Sequence, residues 1–186
     1  MDISIQISNL DEGTFISALL NNERWAQKLL YEEQYPVLMS IALRYANNED
    51  DALDILHESF IKIFTNIHRY QVNTSFNAWL KRVLVNSAID YYWKEIKRKT
   101  ENIDHAFYLK SNIPDPISDL STEEIINSIQ QLQPNLRSIF NMFVIEGYSH
   151  REIAKKLHIN ESTCRANLVK ARTILKGILM AKERKM

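Results

Sequence analysis

The chain has 186 residues, which is long enough for one medium domain or two small ones. Of these residues 45% are hydrophobic, and the formal net charge is zero. Its 3 glycines and 4 prolines are few for a β-sandwich or a glycine-turned α/β fold, and its single cysteine, Cys164, excludes an internal disulfide. No apolar run approaches the length that spans a bilayer, and the N-terminus lacks the basic start and apolar stretch of a secretory signal. We therefore expect an all-α cytoplasmic protein without membrane insertion.

The net charge of zero conceals alternating blocks of opposite sign. Residues 1–60 contain three basic residues against eleven acidic ones, whereas residues 61–99 contain eight basic against two acidic. Residues 149–186 contain ten basic against three acidic. Two basic blocks separated by acidic sequence indicate two phosphate-facing surfaces and a surface of another kind, although solvated charged faces would produce blocks as well.

The N-terminal half has the periodicity of helices. Apolar residues recur at helical spacing through residues 14–45, and Pro36 suits the start of a helix better than its middle. A second helix is predicted from about Glu49 to His68. The pattern breaks at residues 71–75, QVNTS, and a third helix starts near Ser75 and runs towards Lys97. The buried stripe of this third helix is predicted to contain Phe76, Trp79, Leu80, Val83, Leu84 and Ala88.

Residues 99–121 differ from the rest of the chain in composition. They are polar and acidic, and their Pro-Asp-Pro sequence at 114–116 cannot lie inside a helix. We predict a flexible linker here, between an N-terminal helical domain (1–98) and a C-terminal one (122–186). In the second domain, helices resume at Thr122, break before Pro134, continue to Glu146 and turn at Gly147; a last pair covers 149–158 and 161–180, ending in a helix-turn-helix.

The last pair of helices carries start signals typical of a helix-turn-helix. Ser149 and Glu152 form a capping-box pattern, and Asn160 is a good N-cap for the next helix. Ile159 is apolar where a residue would plug the turn. His158 occupies a position where glycine is common, and histidine is among the non-glycine residues enriched at positive φ.

Two interpretations of this pair remain open from the residues alone. The start of a recognition helix enters the major groove, where arginine reads guanine, asparagine reads adenine, and serine or threonine holds phosphate. An ordinary helical hairpin with a solvated basic face has the same periodicity.

Longer patterns favour the DNA-reading interpretation because they resemble a known family. The patterns occur in order along the chain, and their matching positions are Asp51, Asp54, Ile55, Glu58 and Phe60; Phe76, Trp79, Leu80, Val83, Asn86 and Asp90; Leu132, Pro134, Arg137, Ile139 and Phe140; and Gly147, Tyr148, Ser149, Glu152, Ile153 and Ala154. They resemble the sigma-70 family of RNA polymerase sigma factors, in particular its extracytoplasmic-function (ECF) class, over roughly residues 28–178.

Some positions depart from the family pattern. His57 stands where glutamine is usual, Tyr91 and Tyr92 stand where basic residues are frequent, His158 and Ser162 replace common glycines, Cys164 replaces a usual valine, and Asn167 stands where a basic or polar contact residue is common. The change at His57 affects one expected polymerase contact. The later ones are expected to alter which promoter is read more than whether DNA is bound.

The resemblance implies a transcription factor, not an enzyme, that binds core RNA polymerase and directs it to promoter DNA, and that an anti-sigma factor inhibits. It implies no cofactor, no metal and no catalytic residue. The helix around 51–64 would dock on the polymerase through an acidic stripe. The residues expected to bind core polymerase are Asp51, Asp54, Ile55, Glu58, Phe60 and Lys62.

The resemblance assigns the −10 promoter element to the third helix and the loop before it. Opening a duplex requires a polar pocket beside an aromatic wall, which captures a base that has left its stack. The residues expected to contact −10 DNA are Gln71, Asn73, Thr74, Ser75, Lys81, Arg82, Asn86, Tyr91, Lys94 and Arg98. The aromatic and aliphatic stripe, Phe76, Trp79, Leu80 and Val83, is expected in the core.

The resemblance assigns the −35 promoter element to the helix-turn-helix. The residues expected to contact it are Arg151, Ser162, Thr163, Arg165, Asn167, Lys170 and Arg172.

Two other functions are alternatives for the same sequence. A stand-alone helix-turn-helix regulator would bind DNA tightly without polymerase, and an all-helical enzyme would use Glu58 with His57 or His68, although no ligand or triad spacing is repeated.

Overall fold

A computed structural model of the chain describes residues 11–72, 74–101 and 122–183, and in these ranges the protein is built from helices joined by short turns, without strands, which confirms the all-α prediction. The helices are α1 (Glu12–Leu20), α2 (Arg24–Tyr45), α3 (Glu49–Asn66), α4 (Phe76–Glu101), α5 (Thr122–Gln130), α6 (Pro134–Phe140), α7 (His150–Lys156) and α8 (Glu161–Glu183). A 3₁₀ turn (Ile67–Arg69) follows α3, and a π-helical turn (Asn141–Ile145) follows α6. No helix in the described ranges is long and apolar enough to cross a membrane.

The chain divides into two compact units, and the division falls inside α4, between Ala88 and Ile89. The predicted domain limits, 1–98 and 122–186, remain a prediction. Most of the predicted linker 99–121 lies outside the described residues, and α4 continues into its first positions as far as Glu101.

The core of the first unit forms where α2 packs against α3. Its apolar side chains recur at helical spacing, with Leu30, Leu38, Ile55 and Leu56 almost fully buried. One prediction was wrong here, because Pro36 lies inside α2 and not at the start of a helix. Buried side chains on both sides of the proline anchor one continuous helix, so packing outweighs the lost hydrogen bond.

The core of the second unit is built from α5, α6 and α8. Its buried cluster contains Ile129, Leu132, Leu136, Ala171 and Leu175, with Phe140 and Ile174 packed against it. Arg137, a residue of the family pattern, is buried beside this cluster. Its guanidinium donates to the main-chain carbonyls of Gln130 at 2.6 Å and Leu132 at 3.0 Å. It therefore closes the turn between α5 and α6, because it satisfies carbonyls left free where α5 ends.

Candidate nucleic-acid and protein interfaces

The acidic face of α3 is organised by the start of that helix. The Asn48 side-chain oxygen caps the helix by accepting from the Asp51 main-chain N–H at 2.8 Å. Asp51, Asp54 and Glu58 are spaced at i, i+3 and i+7, so their carboxylates follow one stripe of the helix. Asp54 is exposed, and Asp51 and Glu58 are half-buried. Lys62 continues the stripe, with its ammonium 3.6 Å from a Glu58 carboxylate oxygen. Four of the six predicted polymerase-binding residues thus share one face.

The other two predicted polymerase-binding residues lie in the core. Ile55 and Phe60 are 1% and 3% exposed, and the Phe60 ring packs against Tyr31 with centroids 4.7 Å apart. They support the acidic face from inside and cannot themselves contact a partner in this structure. The sequence patterns missed Ile61, which is 61% exposed and lies three residues after Glu58 on the same stripe. An exposed Ile beside carboxylates adds apolar contact area of the kind that protein interfaces use.

The histidines considered for metal or acid–base chemistry are His57 and His68, and both are exposed. Within the described ranges, no three His, Cys, Asp or Glu side chains come together in a group that could hold a metal ion. Neither histidine therefore belongs to a metal-binding group in this part of the chain.

The turn before α4 is closed by its own hydrogen bonds. The Gln71 carbonyl accepts from the Thr74 N–H at 3.2 Å and from the Thr74 hydroxyl at 2.7 Å. The Ser75 hydroxyl accepts from the Ala78 N–H at 3.3 Å, as an N-cap does. Gln71, Thr74 and Ser75 are all exposed, as a base-capturing loop requires, and Asn73 lies outside the described residues.

An aromatic cluster stands beside this turn. The rings of Phe76 and Trp79 are stacked, 6.0 Å apart with an interplanar angle of 10°, and Tyr70 packs on both at 5.0 and 5.8 Å. Of the stripe predicted to be core, Leu80 is fully buried, whereas Phe76, Trp79 and Val83 are half-buried. The first turns of α4 therefore offer partly accessible rings next to polar groups.

The predicted DNA contacts on α4 are nearly all exposed. Arg82 and Asn86 share one face at i, i+4, and Lys94 and Arg98 are one turn apart further along the helix. The Arg98 guanidinium is 2.7 Å from a carboxylate oxygen of Glu95. The exposed members of the set are Lys81, Arg82, Asn86, Lys94 and Arg98, and Tyr91 is half-buried.

The helix-turn-helix begins at the predicted capping box, which the structure confirms. The Ser149 N–H donates to the Glu152 carboxylate at 2.9 Å, and the Glu152 N–H donates to the Ser149 hydroxyl at 3.3 Å. His158 in the turn has a φ of 47°, which confirms the predicted positive φ at a non-glycine residue. Buried Ile153 and Leu168 anchor the two helices in the core of the unit.

The exposed face of α8 displays the predicted −35 contacts. Successive side chains turn by about 100° around a helix, so Arg165 and Lys170 lie on either side of the middle of this face. Val169, which sequence reasoning missed, lies between them and is 64% exposed. A lone exposed valine on a recognition helix suits apolar contact with a thymine methyl group. The exposed predicted contacts are Arg151, Ser162, Thr163, Arg165, Lys170 and Arg172, and Asn167 is half-buried.

Two of the arginines predicted to contact the −35 element already have partners within the chain. The Arg165 guanidinium forms an ion pair with Glu161, one turn earlier on α8. The Arg172 guanidinium lies over the Phe143 ring, 5.8 Å from its centroid. Both contacts orient a long flexible side chain, and both place its charge at the margin of the exposed face.

Cys164 is a core residue of the helix-turn-helix. It is fully buried, and its Sγ is 3.5 Å from Nδ1 of His150, whose ring stacks on Phe143 at 4.3 Å. Burial, and then the Glu161 carboxylate, raise the pKa of the Cys164 thiol, against the opposing effect of Arg165. The thiol stays protonated at neutral pH and fills a position that the family pattern gives to valine.

Two family models match the chain, in the order of its two basic blocks. Sigma-70 region 2 matches residues 30–98, which include the acidic face of α3 and the turn before α4. Sigma-70 region 4 matches residues 122–175, which include the helix-turn-helix. Together they cover about two thirds of the chain.

Individual relatives match over most of their length. The ECF RNA polymerase sigma-E factor of Haemophilus influenzae is 23% identical over 90% of this chain and 95% of its own. The RNA polymerase sigma factor SigV of Bacillus subtilis is 26% identical over 77% of this chain and 84% of its own. The solved sigma factor RpoE in complex with the anti-sigma factor NepR, from Bartonella quintana, has a similar fold, with a TM-score of 0.56 and 19% identity over 82% of this chain and 96% of that one.

Proposed function

Because the chain belongs to the sigma-70 family and its extracytoplasmic-function class, it is a transcription initiation factor, and we propose that it acts through three separate surfaces. The first is the acidic face of α3, the second is the turn before α4 with the exposed side of that helix, and the third is the exposed face of α8. The observation that carries this proposal is that both family regions occur in order on one chain, each with exposed polar and basic side chains.

The acidic face of α3 is the surface proposed to bind core RNA polymerase. Asp51, Asp54 and Glu58 would meet basic side chains of the polymerase, and Ile61 would add an apolar contact at the end of the stripe. Ile55 and Phe60, which the sequence also suggested, act from the core by holding α3 in place.

Charge reversal tests this docking surface. A double variant, Asp54→Lys with Glu58→Lys, is expected to lose binding to core polymerase in a pull-down with purified components, because like charges across an interface repel. The matched control is Glu49→Lys on the opposite side of α3, which is expected to bind as the unaltered chain does. Equal binding by the double variant would contradict the docking surface.

The turn before α4 is proposed to capture a base of the −10 element. Its exposed amide and hydroxyl groups would hydrogen-bond the flipped base, and the half-buried rings of Phe76 and Trp79 would give it a wall to stack on. Lys81, Arg82 and Asn86 would hold the adjoining backbone and strand. Further along α4, the remaining candidates for these contacts are Tyr91, Lys94 and Arg98.

The exposed face of α8 is proposed to read the −35 element. Arg165 and Asn167 would contact base edges, and Val169 would contact a thymine methyl group. The phosphate contacts would come from Arg151, Ser162, Thr163, Lys170 and Arg172. Neither DNA surface needs to bind tightly alone, because polymerase tethers both to one promoter.

Transcription with purified core polymerase is the decisive test of the whole function. Core enzyme with this chain is expected to start transcripts at specific genomic sites that core enzyme alone does not use, read out by sequencing the transcripts. A footprint by the free protein at physiological salt, with no effect of polymerase, would instead indicate a stand-alone regulator. The match to sigma-70 region 2 and the acidic face of α3 do not favour that alternative.

We also propose an anti-sigma partner and a location in the bacterial cytoplasm, where polymerase and promoter DNA are found. The Bartonella quintana structure contains such an inhibitor bound to a sigma factor of similar fold. An inhibitor that covers the faces of α3 and α8 would block polymerase and DNA binding together. Co-purification of the chain from its native cells tests this partner.

A further inference from the structure

Helix α1 precedes the part of the chain that matches sigma-70 region 2, yet two of its side chains reach the turn proposed to capture the −10 base. Glu12 and Phe15 are one helical turn apart. Glu12 contacts the residue before the turn, Tyr70, and Phe15 contacts the residue after it, Phe76. One short helix thus contacts both ends of residues 71–75.

The first contact is a shared hydrogen bond from the Tyr70 hydroxyl. Its hydroxyl lies within hydrogen-bond distance of a Glu12 carboxylate oxygen and of the Thr74 main-chain carbonyl, the latter at 2.6 Å. Burial, and then the Glu12 contact, raise the pKa of Tyr70, so the phenol keeps its proton and can donate. Because a phenol has one proton and both partners are acceptors, the hydroxyl shares that proton between Glu12 and Thr74, and this single side chain connects α1 to the far side of the turn.

The second contact is aromatic. Phe15 is 1% exposed, and its ring meets the Phe76 ring nearly edge-on, with centroids 6.5 Å apart. Phe76 in turn packs on Tyr70. The two ends of the turn are consequently held against each other and against α1, while the polar groups of Gln71 and Thr74 stay exposed between them.

We propose that Glu12 and Tyr70 are positioning residues for −10 base capture, which hold the two ends of the turn before α4 in place before DNA arrives. The inference rests on the function proposed above for that turn. A loop already in its bound shape loses less conformational entropy on binding, so more of the contact energy is available to offset unstacking of the base. Neither Glu12 nor Tyr70 needs to touch DNA for this effect.

The test compares two templates in transcription by core polymerase with the full chain. One carries the promoter as duplex, and the other carries the same promoter with its −10 region held open by mismatches. Tyr70→Phe removes the hydroxyl but keeps the ring, and Glu12→Ala removes the acceptor. Glu12→Gln keeps an acceptor oxygen without the charge. The matched controls are Tyr35→Phe on α2 and Ser17→Ala on the exposed side of α1.

Tyr70→Phe and Glu12→Ala are expected to lower initiation on the duplex about ten-fold, the order expected for the loss of one hydrogen bond. On the opened template they are expected to stay within about two-fold of the unaltered chain, since no base has to be unstacked. Glu12→Gln and both controls are expected to retain duplex activity, and binding to core polymerase is expected to be unchanged throughout.

Three other results would contradict either the proposed function or the positioning role of Glu12 and Tyr70. If the unaltered chain starts no transcript on either template, the proposed function fails. If it is active and Tyr70→Phe matches it on the duplex, the positioning role fails and the proposed function stands. If Tyr70→Phe loses equal activity on both templates, the contact is only structural and the positioning role fails as well; the unfolding midpoint of each variant, measured by circular dichroism, accompanies the comparison.

Discussion

The turn before α4 and the helix-turn-helix of α7 and α8 are both proposed to contact promoter DNA, yet they are held in shape by different kinds of contact. The helix-turn-helix depends on groups close in sequence, such as the Ser149–Glu152 capping box and the left-handed turn at His158. The turn before α4 has local hydrogen bonds as well, but it also depends on the contact between Tyr70 and Glu12, which are 58 positions apart. The helix-turn-helix contacts are encoded locally, whereas the contact of the turn with α1 exists only once the unit has folded.

Because of this difference, mutations in the two DNA-contacting surfaces are expected to have different effects. In the helix-turn-helix, an exposed side chain on α8 can change without altering the backbone that presents it, so its substitutions are expected to shift base preference. In the turn before α4, loss of a distant contact is expected to change the shape of the whole turn, so its substitutions are expected to affect DNA opening.

The largest effect is expected at Phe15, the buried anchor of α1. Phe15→Ala is expected to lower the free energy of unfolding of the first unit by about 3–5 kcal/mol, because it leaves a cavity under Phe76. Hydrogen exchange read by mass spectrometry is expected to show faster exchange in α1 and residues 71–75, and unchanged exchange in α7 and α8. Faster exchange in α7 and α8 would contradict the expected difference between the two surfaces.

The next effect is expected at Arg137, a buried charge with partners close in sequence. Arg137→Met is expected to lower the free energy of unfolding of the second unit by roughly 2–4 kcal/mol, because two main-chain carbonyls lose a charged donor. Urea unfolding of the full chain measures this change. Lys155→Met on exposed α7 is the control and is expected to change stability little. Equal changes for both variants would show that Arg137 does not hold the turn between α5 and α6.

Base reading by α8 is expected to depend on Arg165. Arg165→Ala is expected to cost about 1–3 kcal/mol of discrimination at one −35 base pair, since a base contact is lost and the backbone is kept. Arg165→Lys keeps the charge but lacks the planar fork, so it is expected to lose discrimination while retaining most binding. Binding of polymerase with this chain to promoters altered at single −35 positions measures both. A uniform loss over all positions would make Arg165 a phosphate contact.

Backbone strain in the helix-turn-helix is expected to be local and modest. His158→Gly is expected to raise the free energy of unfolding of the second unit by about 1 kcal/mol, because glycine adopts the left-handed region without the Cβ clash. Asn22→Gly is the matched control in the first unit, since Asn22 has a similar φ of 57° and asparagine tolerates it better. Thermal unfolding measures the stability of both variants. An equal gain in stability at both sites would contradict the greater strain expected at His158.

The smallest effect is expected at Glu161, which pairs with Arg165. Glu161→Gln is expected to tighten −35 binding by about 0.5 kcal/mol, because it frees the guanidinium and removes a negative charge that would face phosphate. The gain is expected to shrink as salt rises. Fluorescence anisotropy with polymerase and labelled promoter, at two salt concentrations, measures it. Weaker binding would show that the ion pair orients Arg165 productively.

Much of the fold could be predicted because its signals are local. Helical periodicity gave α3, α4 and α8 to within a few residues, and the capping box and turn at 149–158 are present as expected. The helix through Pro36 could not be predicted in the same way. Local preference disfavours proline inside a helix, and only buried side chains on both sides of it decide the outcome.

The residues of the candidate site also differ in whether local sequence could predict them. The exposed polar residues of α8 follow from one helix and its buried stripe, so the sequence predicted most of them. In α3, family patterns grouped surface and core positions together, and only the structure separates Asp54 and Glu58 from buried Ile55 and Phe60. Val169 and Ile61 carried no polar signal, and their exposure became visible only in the folded chain.

An all-helical chain, its order of helices and the resemblance that identifies it as a sigma factor follow from the sequence, because these depend on residues within a few positions of one another. Only the folded chain shows which side chains of α3 face outwards and how the turn before α4 is joined to α1. Those outcomes depend on residues such as Glu12 and Tyr70, whose contact forms only when packing brings distant segments together.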